Sequence, residues 1–466
     1  MKANKCWITI AFALVLVIAS CAPTPAPTAA PSPAAAPTAA APATFNWKAR
    51  QGETIRVLLW NHPEVDYWEK NIQEFKDLTG ININFEKLSV AEQYPKTLLE
   101  LTTAPDKVDV FSIVPPQQAY KFTKEGFMED LNLFINDSTL TSPEYYFSDF
   151  LEGTRKGLEF KGIQGAMPMY VHAEMLMYRA DLYQTAGLQP PKTFEELKAN
   201  AAKLHDPANE TYGAVYRGIG PQALWPFSAW MWGYGGDWVD NELDPTTNSP
   251  ETVAAFKIYG EILGKYGPPG PTDLDDGRML SLFQEGKAAH YMAFAGYALQ
   301  LADPATSKVV GKVGYAMYPG GPKGQFPIAI PTGIAISSKS QHKEAAWLFL
   351  QWATGKQMQK RVQVDTGVLM PRQSVWEDPD VAGDLDEKVP GWRDVMLQTL
   401  NLGKAGVLPV AEDVAAARDI LGVVIKTSIQ GGDVEAAAST ATDKYKKLLQ
   451  GVPKEELLPA TATPSS

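Results

Sequence analysis

Both cysteines of this chain, Cys6 and Cys21, lie ahead of a stretch from Ala22 to Thr44 built only of Ala, Pro, Thr and Ser. Whatever folds beyond that stretch has no disulfide framework and no CxxC metal ribbon, so burial must hold it together. The composition allows this: of 466 residues, 45% are hydrophobic and 20% charged, which excludes disorder of the whole chain. A formal charge of -11 argues against an electrostatic grip on nucleic acid, whose phosphates demand a basic face.

The first residues read as an address. Lys2 and Lys5 precede Trp7 to Ser20, a run without charge that suits an export signal and is short for a retained membrane helix. It ends in Val17-Ile18-Ala19-Ser20-Cys21, which resembles the bacterial lipobox. That resemblance implies cleavage after residue 20, lipid on the Cys21 sulfur and anchorage to the outer face of the cell membrane. Residues 21–51 then form a tether, because an Ala/Pro/Thr composition buries little and favours extended backbone, reaching roughly 70 Å over Ala22 to Thr44 at full stretch. The tail at 459–466 repeats the composition.

The body alternates strand and helix signals. Thr54 to Trp60 fits a buried parallel strand, and Val65, Trp68, Ile72 and Phe75 recur at helical spacing up to Gly80. Ile81, Ile83 and Phe85 alternate with asparagines, and Val108 to Val114 is a further apolar run. Thr193 with Glu196 predicts a capping box opening a helix toward Leu204. Strands are predicted over Val313 to Tyr318 and Ile328 to Ser337, then a helix through Ala345, Leu348, Phe349 and Trp352. Glu412 to Leu449 reads as helix broken at Gly431-Gly432. The expected class is α/β.

Trp225, Trp230, Trp232 and Trp238 crowd together with Phe227 and Tyr234, interleaved with Gly233, Gly235, Gly236 and Asp237. Aromatic faces with glycine and polar neighbours suit a concave site in which rings stack on sugar C–H faces. A wider pattern accompanies them. Phe75-Lys76-Asp77-Leu78-Thr79-Gly80-Ile81, Val108-Asp109-Val110-Phe111 and Gly126-Phe127-Met128-Glu129-Asp130-Leu131 come first. Met167-Pro168-Met169-Tyr170, Met177-Tyr178-Arg179-Ala180-Asp181-Leu182 and Pro190 to Leu197 follow, then Phe283 to Ala289 and Gly333 to Ser340 leading into Lys343-Glu344-Ala345-Ala346-Trp347. In this order they resemble the family 1 extracellular solute-binding proteins of ATP-binding cassette importers, the group that includes the maltose-binding proteins.

The resemblance implies a periplasmic-binding-protein-like fold: two discontinuous α/β lobes, a hinge and a ligand cleft between them. The lobes would be 52–166 with 295–338, and 167–294 with 339–458. A sugar or oligosaccharide would be captured by closure and delivered to the importer's permease subunits by a monomer, without chemical change. By position in the family pattern, first-lobe contacts fall to Trp60, Asn61 and Pro115, while Tyr170 and His172 follow the Met167-Pro168 crossing. Trp225, Trp230 and Trp232 would form a sugar platform. Gly296 and Tyr297 mark a strand-to-loop stacking position, Thr332 and Gly333 offer backbone amides, and Arg372 offers a guanidinium fork. Arg179 and Ala173-Glu174-Met175 depart from the commoner pattern.

Other classes need features that are absent or unspecific here. A quaternary ammonium or polyamine in the same cleft is one alternative, through cation–π attraction. A secreted glycoside hydrolase would need two carboxylates across a bond, for which Asp237, Asp240 and Glu174 can be nominated. The histidines His62, His172, His205, His290 and His342 form no HExxH or HxH pair, and no GxSxG elbow or GxxxxGK[ST] loop occurs. No metal and no cofactor is expected.

Overall fold

Residues 44–452 are described by a computed structural model. The export segment, Cys21, most of the tether and the tail lie outside the described residues. Phe45 and Trp47, inside the expected tether, meet edge to face at 5.1 Å and pack on the core, so the folded body starts earlier than residue 52.

The apolar run Thr54–Trp60 forms β1, with parallel neighbours β2 (Asn82–Leu88) and β3 (Val110–Ile113). The helical periodicity between them becomes two helices, Pro63–Lys70 and Ile72–Thr79. They break at Asn71, whose side-chain amide donates to the Tyr67 carbonyl at 2.8 Å. Gly80 ends the second in the left-handed region, φ 72, as its lack of Cβ permits. A small hairpin, β4 (Glu159–Phe160) with β5 (Ile163–Gln164), precedes the long strand β6 (Met167–Arg179).

β6 organises the molecule. Its first half, Met167 to Ala173, pairs with β9 (Ala329–Ile336), which also pairs with β3. Its second half, from Glu174, pairs with β7 (His290–Phe294) on one side and β8 (Val313–Ala316) on the other. One strand therefore belongs to two sheets. The first lobe carries the order β2-β1-β3-β9-β6, and the second carries β7-β6-β8.

Helices complete each lobe. The capping box at Thr193 and Glu196 opens the helix Phe194–Leu204. Behind the second lobe Gly220–Tyr234, Pro250–Tyr266, Val414–Ile429 and Val434–Leu448 pack together, the last two separated at Gly431-Gly432. The helix Lys343–Ala353 packs on β1, β9 and Ile72–Thr79, and Lys356–Thr366 packs on Pro63–Lys70. These contacts join the segment after residue 339 to first-lobe strands, so the packing does not change at 339, where the resemblance put the boundary. Among the described residues no helix is long and apolar enough to cross a membrane.

Candidate functional site

Along β6 an otherwise apolar strand places polar side chains at alternate positions: Tyr170, His172 and Glu174, separated by buried Val171 and Ala173. Successive side chains of a strand point to opposite faces, so these three share one. That face crosses the point where β6 exchanges β9 for β7. Opposite it stand Thr332, paired with Tyr170, and Phe294, paired with Glu174.

At the first-lobe end, Trp60 closes β1 and meets Tyr170 edge-on at 6.4 Å. His62 lies flat on the Tyr170 ring, 4.1 Å between centroids and 7° between planes. Its Nδ1 is 3.4 Å from Glu64 Oε2, and Glu64 is wholly buried with neither oxygen hydrogen-bonded among the described residues. Burial pushes the Glu64 carboxyl above its ordinary range, while His62 pulls the other way. Burial also raises the Tyr170 phenol, against a hydrogen bond with Thr332.

At the second-lobe end, His172 stacks on Phe294 at 4.7 Å and meets Trp225 edge-on at 5.7 Å. His172 Nε2 stands 3.6 Å from Glu174 Oε1, which is 3.9 Å from Arg217 Nη1. Both separations are too long for hydrogen bonds. Arg217 itself forks the Asp276 carboxylate with two bonds of 2.9 Å. Tyr297 meets Phe294 at 5.6 Å, and its phenol is pushed up to about 12, chiefly by burial and then by Asp276.

The polar atoms left over define the chemistry. His172 Nε2, Glu174 Oε1, the Trp225 indole nitrogen and the Tyr291 hydroxyl are buried without a hydrogen-bond partner among the described residues. Each such group costs about 1–3 kcal/mol unless something meets it. The set mixes donors with a carboxylate acceptor, and a hydroxyl, which both donates and accepts, can satisfy either kind. Glu174 and Asp276 outnumber Arg217 here, which opposes an anionic solute.

Of the residues singled out from the sequence, Trp60, Tyr170, His172, Thr332, Trp225 and Tyr297 come together around this face, with Gly296 heading the short helix of Tyr297. Asn61 is exposed beyond β1, and Pro115 starts the helix Pro115–Lys124. Four do not fit their expected roles. Trp230 is fully buried one layer behind, stacked on Phe194 at 3.9 Å with its N–H donated to the Tyr318 hydroxyl at 3.2 Å. It offers no face to a ligand. Trp232 is capped by the Lys404 ammonium, 5.1 Å over its ring. Gly333 lies inside the ladder, paired with Ile113 of β3 on one side and Pro168 of β6 on the other, so its backbone faces neighbouring strands. Arg372 is buried against Phe150 and bound to Asp149, apart from the β6 face.

His62, Glu64, Arg217, Tyr291 and Phe294 were not singled out. The sequence pattern marks Glu174 only as a departure from the family and a hydrolase candidate. The alternation Tyr170-Val171-His172-Ala173-Glu174 inside an apolar run was the available signal, because polar residues at period two mark one face of a strand.

Comparisons with known proteins agree with this architecture. The model for the bacterial extracellular solute-binding protein family matches residues 60–360. The erythritol/L-threitol-binding protein of Mycolicibacterium smegmatis is 28% identical over 360 residues, 72% of this chain and 73% of that protein. A solute-binding protein from Agrobacterium radiobacter, solved with ribitol, is 29% identical and superposes with a TM-score of 0.74, covering 85% of this chain and 99% of its own. One from Agrobacterium vitis, solved with D-mannitol, is 25% identical with a TM-score of 0.70, covering 85% and 98%. Match, fold and two-sheet strand together show that the chain belongs to the bacterial extracellular solute-binding proteins.

Proposed function

We propose that the protein captures a small, neutral, polyhydroxylated solute, an acyclic sugar alcohol ahead of a pyranose, and delivers it unchanged to the permease of an ATP-binding cassette importer. One observation carries the reading: the unmet polar atoms of His172, Glu174 and Trp225 beside the single strand that both sheets share. Hydroxyl groups would meet them all. The relatives that bind erythritol or threitol, ribitol and D-mannitol support it. So does the fate of the sugar platform, since Trp230 is core and Trp232 is capped. A quaternary ammonium fits less well, because it would leave the Trp225 and Tyr291 donors unmet.

Contacts to both halves of β6 would favour the closed arrangement, since only differential contacts shift such an equilibrium. The protein acts as a monomer without catalysis, tethered to the outer face of the membrane through lipid on Cys21. Labelling with a lipid precursor should mark the wild type and spare Cys21→Ser.

Titration calorimetry with erythritol, ribitol, mannitol, maltose and choline tests the ligand class. A polyol response that Glu174→Gln weakens by about 10- to 100-fold is expected, the size of a hydrogen bond to a charged group. Silence toward every polyol and sugar, or release of cleaved product, refutes it.

A further inference from the structure

Arg372 lines a groove of about 970 Å³ whose wall also holds Trp47, Tyr146, Trp352 and Lys356 and none of the β6 face. The guanidinium lies over the rings of Phe150, at 3.9 Å, and Tyr145, at 5.0 Å. Its Nε donates to the Thr354 carbonyl at 2.8 Å, and its Nη1 donates to Asp149 Oδ2 at 3.0 Å and the Tyr146 carbonyl at 3.1 Å. Nη2 has no partner among the described residues, although Arg372 is 1% exposed. Asp149 is already engaged: besides Arg372, Ser374 donates to both of its oxygens, through its backbone N–H at 3.0 Å and its hydroxyl at 2.7 Å.

Thr354 ties this guanidinium to a helix start. Gly355 precedes the helix Lys356–Thr366, which has neither a capping side chain nor an acidic residue in its first turn. The N–H groups of Lys356, Gln357 and Met358 have no acceptor among the described residues. Lys356 is exposed and forms no ion pair among them. One corner of the groove therefore gathers a buried guanidinium nitrogen without a partner, a helix N-terminus and an ammonium, beside an Asp149 carboxylate already held by Arg372 and Ser374. Of the acidic residues in the wall, Glu74 is held by Arg361 and Asp149 by Arg372, leaving exposed Glu144. Such a corner calls for a group that only accepts, and a carboxylate is the one with the right shape.

The rest of the wall describes what carries the carboxylate. Tyr146 is 67% exposed and held at φ 42, a strained conformation for a residue with a side chain. Its ring, with the partly buried rings of Trp47 and Trp352, offers faces to a flat or cyclic body, and Ser148 and Gln357 offer hydrogen bonds to hydroxyls. We propose that this groove is a second binding site, separate from the cleft, for a sugar ring bearing a carboxylate, of the hexuronate type. The source is either a free acid sugar or the acidic end of a surface polysaccharide.

The full-length protein is titrated with glucuronate, galacturonate and a short oligogalacturonate, with glucose and inorganic phosphate as controls, following groove resonances by NMR. Two folding-neutral variants carry the test. Lys356→Glu reverses an exposed charge, and Tyr146→Gly removes the ring while relieving its backbone. Uronate binding should weaken about tenfold or more in Lys356→Glu and several-fold in Tyr146→Gly, with mannitol binding in the cleft unchanged in both. A preference for the oligomer over the monomers assigns the polysaccharide source. The proposal falls if no uronate perturbs the groove, if both variants bind like wild type, if phosphate binds as tightly, or if the variants disturb the mannitol response. Absence of a mannitol response in the wild type, with uronate binding intact, would overturn the cleft reading and leave the assignment of this groove standing.

Discussion

Lys121 reaches Glu412 across the two lobes, with 3.3 Å between ammonium and carboxylate. Lys121 belongs to the helix after β3, and Glu412 leads into Val414–Ile429, part of the second-lobe bundle. Both side chains are partly exposed, and Lys121 also pairs with Glu125 at 3.0 Å, so the bond is modest.

Glu412→Gln should therefore weaken ligand affinity by less than about fivefold, in line with the 0.2–1 kcal/mol of exposed pairs, and the difference should shrink as salt rises. Calorimetry at two ionic strengths reads it. An unchanged affinity at low salt would show that the pair takes no part in closure.

Trp225 and Trp230, five positions apart on one helix, should separate binding from folding. Trp230→Ala empties a stacked core position and should cost about 3–5 kcal/mol in a denaturant melt. Trp225→Phe keeps most of the volume and removes the unmet indole N–H, so its melt should stay near wild type while polyol affinity falls. The reverse pattern would place the ligand elsewhere.

His290 sets an acid limit. Its Nδ1 donates to the Gly213 carbonyl at 2.5 Å, which leaves Nε2 to accept from the Tyr183 hydroxyl. Burial lowers its pKa to about 4, from 6.5. The unfolded chain then binds a proton that the folded one refuses, so this contribution is complete above pH 6.5 and lost progressively down to pH 4, about 3 kcal/mol in all. Urea melts between pH 7 and 4 should show it, and His290→Gln should flatten that slope.

Glu64 works with the opposite sign. Its folded carboxyl holds its proton above the ordinary range, so stability is lost as pH rises from 4.5. Glu64→Gln keeps the shape without the charge and should raise stability at pH 7 by about 1–3 kcal/mol, a gain that vanishes toward pH 4.5. A destabilised variant at pH 7 would mean that the ionised carboxylate is the folded form.

Local signals carried far. The apolar run of β1 and the Thr193–Glu196 box needed only neighbouring residues to be legible. The break at Asn71 was hidden because apolar positions keep helical spacing on both sides of it. Trp225 and Trp230 could not be told apart, since their helix is buried on nearly every side and only Phe194, Tyr259 and Tyr318 decide which indole is enclosed. The same holds for Arg372, whose partner Asp149 lies 223 residues away in sequence. Tyr170 and His172 follow from family resemblance, whereas the period-two alternation puts Glu174 on their face and only the change of partners along β6 shows that this face spans both sheets.

That change of partners has a mechanical result. Because an unbroken backbone is stitched into one array up to Ala173 and into another from Glu174, the halves can twist about this seam but cannot slide apart without tearing a ladder. The motion left open is a rotation about β6 itself. A solute held against the β6 face, as proposed above, would sit over this seam, so stiffening the seam should slow its release.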